Sequence, residues 1–114
     1  MFLDSIVDLK MTMDRQLQNA SFVFQDEKRM CLSTNHDSVS YYFYEDSVQF
    51  QSNTMTKTIY TGTYGYNITT DEETNLVSKV DFSFSNATNT YGFELNKSYF
   101  PFDRLKHKTI NFEY

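Results

Sequence analysis

The stretch DSVSYYFYEDSVQF, residues 37–50, decides the fold class of this chain. Val39, Tyr41 and Phe43 alternate with Ser and Tyr residues, and a period of two is typical of a β-strand because successive side chains point to opposite faces. The acidic pair at 45–46 interrupts the pattern, and a second alternating run begins at Val48. Two such runs joined by a polar turn predict an antiparallel β-hairpin.

The sequence on the C-terminal side of this hairpin shows the same alternation of apolar and polar residues. Val80, Phe82 and Phe84 alternate strictly with polar residues and give the clearest signal of a half-buried strand. Gly62 and Gly65 predict a bulge or bend inside a long β-prone run. The additional strand candidates are 29–33, 55–68, 91–95 and 110–114.

The chain on the N-terminal side of the hairpin has a different period. Apolar residues recur there at spacings of three and four, and the run contains neither Gly nor Pro, which predicts an amphipathic helix over residues 2–24. The start lacks a capping residue, and the apolar band is broadest near the N-terminus. The residues at this spacing are Leu3, Ile6, Lys10, Met13, Leu17 and Ala20, and Phe2, Val7 and Leu9 widen the apolar part near the start.

Together these elements predict one α+β domain that spans residues 1–114. We expect an N-terminal amphipathic helix, within 1–24, packed on a mostly antiparallel β-meander sheet within 29–114. About six short strands fit this length. A chain of this size holds one hydrophobic core.

Composition and charge exclude several classes of protein. The formal net charge is −5 and the pI is about 4.8, so the chain lacks the overall basic balance of a nucleic-acid-binding protein. The basic cluster at 104–108 is short and is expected to be a solvated face or turn. No run of about 18 apolar residues is present, and no signal peptide is visible.

Residues for catalysis or metal binding are scarce. The two histidines, His36 and His107, are far apart in sequence, and Cys31 is the single cysteine. Neither zinc-ligand spacing nor a Gly-rich phosphate loop occurs. We therefore predict no catalytic residues, no cofactor and no metal, and expect that the protein is not an enzyme. Cys31 lies in an apolar run and is expected to be a buried, inert thiol.

Three weaker patterns have both a structural and a functional interpretation. The acidic segment 71–75 is either a solvated loop or a calcium site, although it lacks the spacing of a known calcium loop. Several tyrosines pack in a sheet or stack on a sugar or apolar ligand: Tyr42, Tyr44, Tyr60, Tyr64 and Tyr66. Four N-x-[ST] sequons would carry glycans in a secreted eukaryotic protein: Asn19, Asn67, Asn86 and Asn96.

The order of these elements resembles a type IV pilin-like domain, in particular a minor pseudopilin of the type II secretion kind. The matching stretches are LKMTMDRQLQNASFVF (9–24), KRMCLS (28–33), DSVSYYFYEDSVQF (37–50) and VDFSFSNATNTYGFELNKSYF (80–100). The likeness covers most of the chain, but it is one of hydrophobic pattern and element order. The leader peptide and the apolar helix with its glutamate, which define the family, are not among these 114 residues.

The resemblance implies a structural subunit of a pilus-like filament or a type II secretion pseudopilus. It further implies an extracytoplasmic domain on the periplasmic side of the inner membrane, anchored by an apolar helix that is absent from this sequence. Other pilin-like subunits would be the partners, and the domain by itself would be a monomer. The expected partner surface is the helix face formed by Leu3, Ile6, Val7, Lys10 and Met13.

Other functions remain open on the same residues. Cystatin-like and NTF2-like binding modules also place one helix on an antiparallel sheet, and would hold a ligand in a pocket of converging polar groups. An extracellular adhesion domain and an enzyme whose site has no sequence signature are further alternatives. The helix face itself could simply cover the sheet.

Overall fold

The computed structural model describes residues 2–34 and 37–99, and it confirms an α+β chain with one N-terminal helix and antiparallel sheets. Eight described strands follow the helix, where about six were expected. The elements are α1 (Phe2–Asn19), β1 (Phe22–Asp26), β2 (Arg29–Ser33), β3 (Ser38–Tyr44), β4 (Ser47–Gln51), β5 (Thr56–Thr61), β6 (Tyr64–Thr70), β7 (Val77–Ser85) and β8 (Thr90–Asn96).

The strands form two sheets, so the expectation of a single sheet was wrong. β1 to β5 make a five-stranded sheet, and β6 to β8 make a three-stranded sheet. In both, sequence neighbours pair antiparallel, which confirms the meander order. The chain leaves the first sheet at Gly62, whose φ of 144° is a conformation that other residues rarely adopt. The run 55–68 is therefore split into two strands.

The helix is shorter than predicted, because it ends at Asn19 rather than at residue 24. Phe22 to Asp26 instead form β1, which pairs with β2 through a turn at Glu27 and Lys28. The sequence Phe-Val-Phe has high β-propensity, and Val23 is fully buried in the strand. Strand pairing therefore prevails over continuation of the helix.

The core lies between the five-stranded sheet on one side and α1 with the three-stranded sheet on the other. α1 covers part of the sheet, where the Tyr41 hydroxyl donates a hydrogen bond to Gln16 Oε1 at 3.0 Å. The three-stranded sheet covers another part, with the rings of Tyr60 and Phe84 4.8 Å apart in an edge-to-face arrangement. Aromatic pairs of this kind add to the burial of apolar area.

The two sheets are also joined at a β-bridge between Phe24 of β1 and Leu76, just before β7. Leu76 and Val77 are fully buried at this junction. Since the bridge connects an edge of one sheet to the start of a strand in the other, the layers are held together by backbone pairing as well as by side chains.

Several predictions fall on residues outside the described part of the chain. These are the edge strand at 110–114, the basic cluster at 104–108, His36 and His107. Within residues 2–34 and 37–99, no helix combines the length and hydropathy required to cross a membrane.

Candidate functional site

One face of α1 belongs to the core. Ile6, Leu9, Met13, Leu17 and Ala20 are all buried and recur at spacings of three and four, so that they form one continuous line along the helix. This line belongs to the same buried cluster as core residues of both sheets. The packing accounts for the regular apolar pattern of the N-terminal sequence.

A second apolar line runs along α1 and is open to solvent. Leu3, Val7 and Met11 are 47%, 43% and 66% exposed, and they are spaced by four residues, so that one lies above the next on consecutive turns. We call these three residues the exposed stripe. It extends about 12 Å along the helix.

Polar residues bound the exposed stripe. The same line continues at Asp14 and Gln18, whose side chains are exposed and hydrogen-bonded to each other at 3.4 Å. Helical spacing places Lys10 on one flank and Asp4 on the other, and both are exposed. The apolar surface is therefore confined to the first three turns and has charges of both signs at its rim.

The structure divides the helix face that was expected to bind a partner. Ile6 and Met13 are buried in the core of this chain, whereas Leu3, Val7 and Lys10 are exposed. The prediction did not include Met11, which is more exposed than either Leu3 or Val7. Met11 follows Val7 by four residues, and this spacing could have indicated from the sequence that the two lie on the same face of the helix.

A buried lysine fixes the end of the helix. Lys97, only 8% exposed, donates a hydrogen bond from Nζ to the carbonyl oxygen of Ala20 at 2.7 Å. The ammonium also lies 5.2 Å from the centre of the Tyr99 ring. A cation beside the last carbonyls of a helix is favourable because these groups carry partial negative charge. Nothing in the local sequence distinguishes Lys97 from a surface lysine.

Three tyrosine hydroxyls are shielded from water. Burial raises the pKa of Tyr41, of Tyr64 and of Tyr99 well above the ordinary value, because it disfavours the charged phenolate. The hydroxyls of Tyr64 and Tyr99 donate to backbone carbonyls, at 2.6 Å to Tyr44 and at 2.7 Å to Val77. These groups therefore hold elements of the fold together in their neutral form.

The tyrosines considered for ligand stacking have different environments. Tyr60 is buried, and Tyr66 stacks on Phe43 with ring centroids 4.4 Å apart, so both serve packing. Tyr44 is 47% exposed and stacks on Tyr42 at 6.4 Å. An open hollow of about 390 Å³ lies at this end of the molecule, lined by Lys28, Phe43, Tyr44, Glu45, Tyr64, Gly65 and Tyr66.

Cys31 is half-buried, so the expectation of a buried thiol was wrong. It lies in β2 on the face of the five-stranded sheet that points away from the core, and its Sγ is 3.5 Å from Ser40 Oγ. The alternation of the strand explains this position, because the neighbouring residues Met30 and Leu32 take the core-facing places.

The acidic segment 71–75 forms a self-contained turn. The Asp71 carboxylate accepts a hydrogen bond from the Glu73 N–H at 2.8 Å, and Asn75 has a positive φ of 61°. Asp71 Oδ1 is thus directed to the backbone of its own loop. In the part of the chain that the structure describes, no group of three or more His, Cys, Asp or Glu side chains is placed to hold a metal ion.

All four sequon asparagines lie on the surface of the domain. They belong to different elements: the end of α1, β6, the turn after β7, and β8. Each is exposed to solvent: Asn19, Asn67, Asn86 and Asn96.

Comparison of the chain with models of protein families, with curated proteins and with solved structures found no match.

Proposed function

We propose that this protein is a structural subunit of a larger assembly, and that it packs on its neighbours through the exposed stripe of α1. The assembly is of the pilus-like or type II secretion pseudopilus kind, in which subunits associate along N-terminal helices. The partners are the helices of other pilin-like subunits, and the role requires neither a catalytic site nor a cofactor.

The observation that carries this proposal is the line of Leu3, Val7 and Met11 on the outside of the helix. A single exposed apolar residue is ordinary on a protein surface, but a contiguous apolar patch with a polar rim marks an interaction site. Residues spaced by four on one helix face are the anchors by which a helix contacts another helix or a groove.

The overall architecture supports the same proposal at a coarser level. One N-terminal helix precedes a meander of antiparallel strands, which is the arrangement that the sequence resemblance implies. The helix uses one line of residues for its own core and keeps another outside. A helix with two apolar lines can join a globular domain to a bundle of neighbouring helices.

Site-specific photo-cross-linking in the cells that produce the protein tests the proposal. A photoreactive phenylalanine derivative replaces Val7 or Met11, and the cross-linked peptides are sequenced by mass spectrometry. We expect both positions to yield peptides from the apolar N-terminal helix of another subunit, because the stripe would be covered in the assembly.

Asp8 is the matched control, because it is exposed and adjacent to Val7 but lies about 100° around the helix. The same substitution there should give few or no such peptides. If Val7 and Met11 cross-link no more than Asp8 does, or only to this chain's own residues, the stripe is not an assembly surface. The proposal would then be abandoned.

A further inference from the structure

A different surface, the edge of the three-stranded sheet formed by β6, has backbone groups that pair with no described strand. β6 pairs with β7 along one side, and no described strand lies along the other. Hydrogen bonds from Ser85 N to Thr63 O and from Lys97 N to Ser78 O fix the alternation of this sheet. By that alternation, the backbone N–H and C=O groups of Gly65, Asn67 and Thr69 form hydrogen bonds with β7. The N–H and C=O groups of the residues between them, Tyr64, Tyr66 and Ile68, point away from β7 towards the side of the sheet without a described strand.

The other sheet edges are protected in the ways that natural proteins use. β1 is joined to Leu76 by a bridge. β8 carries Glu94, and its Asn96 carbonyl accepts a hydrogen bond from Gln18 at 3.0 Å. β5 carries Lys57. Charges and covering elements of this kind prevent an edge from pairing with other chains.

Within residues 2–34 and 37–99, none of these protections is present along the first six residues of β6. Its sequence, Tyr-Gly-Tyr-Asn-Ile-Thr-Thr, contains no charge and no proline, and the single irregularity in its pairing lies at the end, between Thr69 and Thr70. Such an edge is a ready template for a further strand, because its donors and acceptors repeat at the spacing of an extended backbone.

Hollows lie on both faces of this edge. The hollow of about 390 Å³ described above is lined by Phe43 and Tyr66 on the core-facing side. A second, of about 350 Å³, lies over Gly65, beside Asn67 and Ser83 on the outer side. Successive side chains of a strand point to opposite faces, so one strand along β6 would place alternate side chains in the two hollows.

We propose that β6 binds an extended segment of another protein as a fourth strand of the three-stranded sheet. The segment carries bulky apolar side chains at alternate positions, which contact Tyr64 and Tyr66, and a residue between them covers Gly65. Main-chain hydrogen bonds to Tyr64, Tyr66 and Ile68 hold the segment, and the hollows select its side chains. This surface is separate from the exposed stripe, so the proposal does not depend on the function proposed above.

Amide hydrogen exchange of the full chain at low concentration is the first test. We expect the amides of Tyr64, Tyr66 and Ile68 to exchange at least tenfold faster than those of Gly65, Asn67 and Thr69. The probe is then a capped peptide with the sequence of residues 79–85, Lys-Val-Asp-Phe-Ser-Phe-Ser, which already pairs with β6 within the domain. A saturating amount should slow exchange of the three outward amides at least tenfold.

Variants separate edge pairing from loss of structure. Ile68→Pro removes an outward N–H without removing a bond to β7, and should weaken binding of the peptide at least tenfold. Glu94→Pro makes the equivalent change on the edge strand β8 and should leave binding unchanged. A peptide with Phe82→Pro should not protect β6. If Ile68→Pro does not fold, the exchange pattern of the unmodified chain remains decisive.

Three results would overturn the proposal. The outward amides could already be protected in the dilute full chain, which would mean that its own residues occupy the edge. Protection that rises with protein concentration and needs no peptide would assign the edge to a second copy of the chain. Absence of protection at millimolar peptide would show that the edge does not accept a strand.

Discussion

The two apolar lines of α1 consist of the same kinds of residue, but one line is buried and the other is exposed to solvent. Ile6, Leu9 and Met13 are buried beneath the sheets, whereas Val7 and Met11 face solvent. Both lines follow the spacing of a helix, so amphipathic pattern alone does not distinguish a buried line from an exposed one. The position of the helix on the sheets makes the distinction. Substitutions on the helix and at its contacts test this distinction.

Met13→Ala should lower the free energy of unfolding by about 2–5 kcal/mol, because it removes a fully buried side chain and leaves a cavity. Denaturant unfolding followed by circular dichroism measures the change. A loss below about 1 kcal/mol would mean that the helix does not pack on the sheets as described.

Lys97→Met should cost about 1.5–3 kcal/mol of stability, because it removes a charge-assisted hydrogen bond to the Ala20 carbonyl and leaves that carbonyl without this donor. Lys79→Met is the control. Its ammonium is partly exposed and lies 3.8 Å from the Asp81 and Glu94 carboxylates, so its loss should change stability by less than about 1 kcal/mol. Equal losses in the two variants would contradict an anchoring role for Lys97.

Tyr41→Phe should lower stability by about 0.5–1.5 kcal/mol, because it removes the hydrogen bond between the sheet and Gln16 of α1. The substitution should also change how the free energy of unfolding depends on pH above neutrality. Burial raises the pKa of Tyr41 in the folded state, so the associated stability is present below pH 10 and is lost as pH rises further.

Unfolding measured between pH 8 and pH 11 checks this dependence. The free energy of unfolding should fall above pH 10 in the unmodified chain and fall less steeply in Tyr41→Phe. Tyr44→Phe, the same change at an exposed position of the same strand, is the matched control. Identical slopes for the unmodified chain and Tyr41→Phe would show that this hydroxyl does not contribute.

Met11→Ala should have the smallest effect on stability, within about 0.5 kcal/mol, because the side chain is already in water. The same chemical change two residues apart therefore compares the two lines of α1 directly. If Met11→Ala destabilises the fold as much as Met13→Ala does, the exposed stripe belongs to the core. The assembly proposal would then lose its surface.

Much of the fold was predictable where the sequence pattern is local. The alternation around Val80, Phe82 and Phe84 predicted β7, and the hairpin at 37–50 was confirmed as β3 and β4. The end of the helix was not predictable in the same way. Residues 22–24 continue the apolar spacing of the helix, yet their place is decided by pairing with β2.

The non-local features could not be read from the sequence. Gly62 predicted a bend, but the division into two sheets depends on how Tyr60 and Phe84 pack across them. Lys97 is a buried anchor only because the chain brings it next to Ala20. For the candidate site, Leu3 and Val7 were predicted, and Ile6 and Met13 were assigned to the same face because spacing does not reveal which line a sheet covers.

The anchor at Lys97 has a consequence for how the protein is made. α1 leaves the ribosome before the strands do, and the side chain that binds the carbonyl at its end is synthesised 77 residues after that carbonyl. Until then the helix lacks both this contact and the later strands that cover its core-facing line. Chaperones that hold apolar segments during translation would thus find both lines of the helix accessible, and only completion of the domain would cover the core-facing line and leave the exposed stripe in solvent.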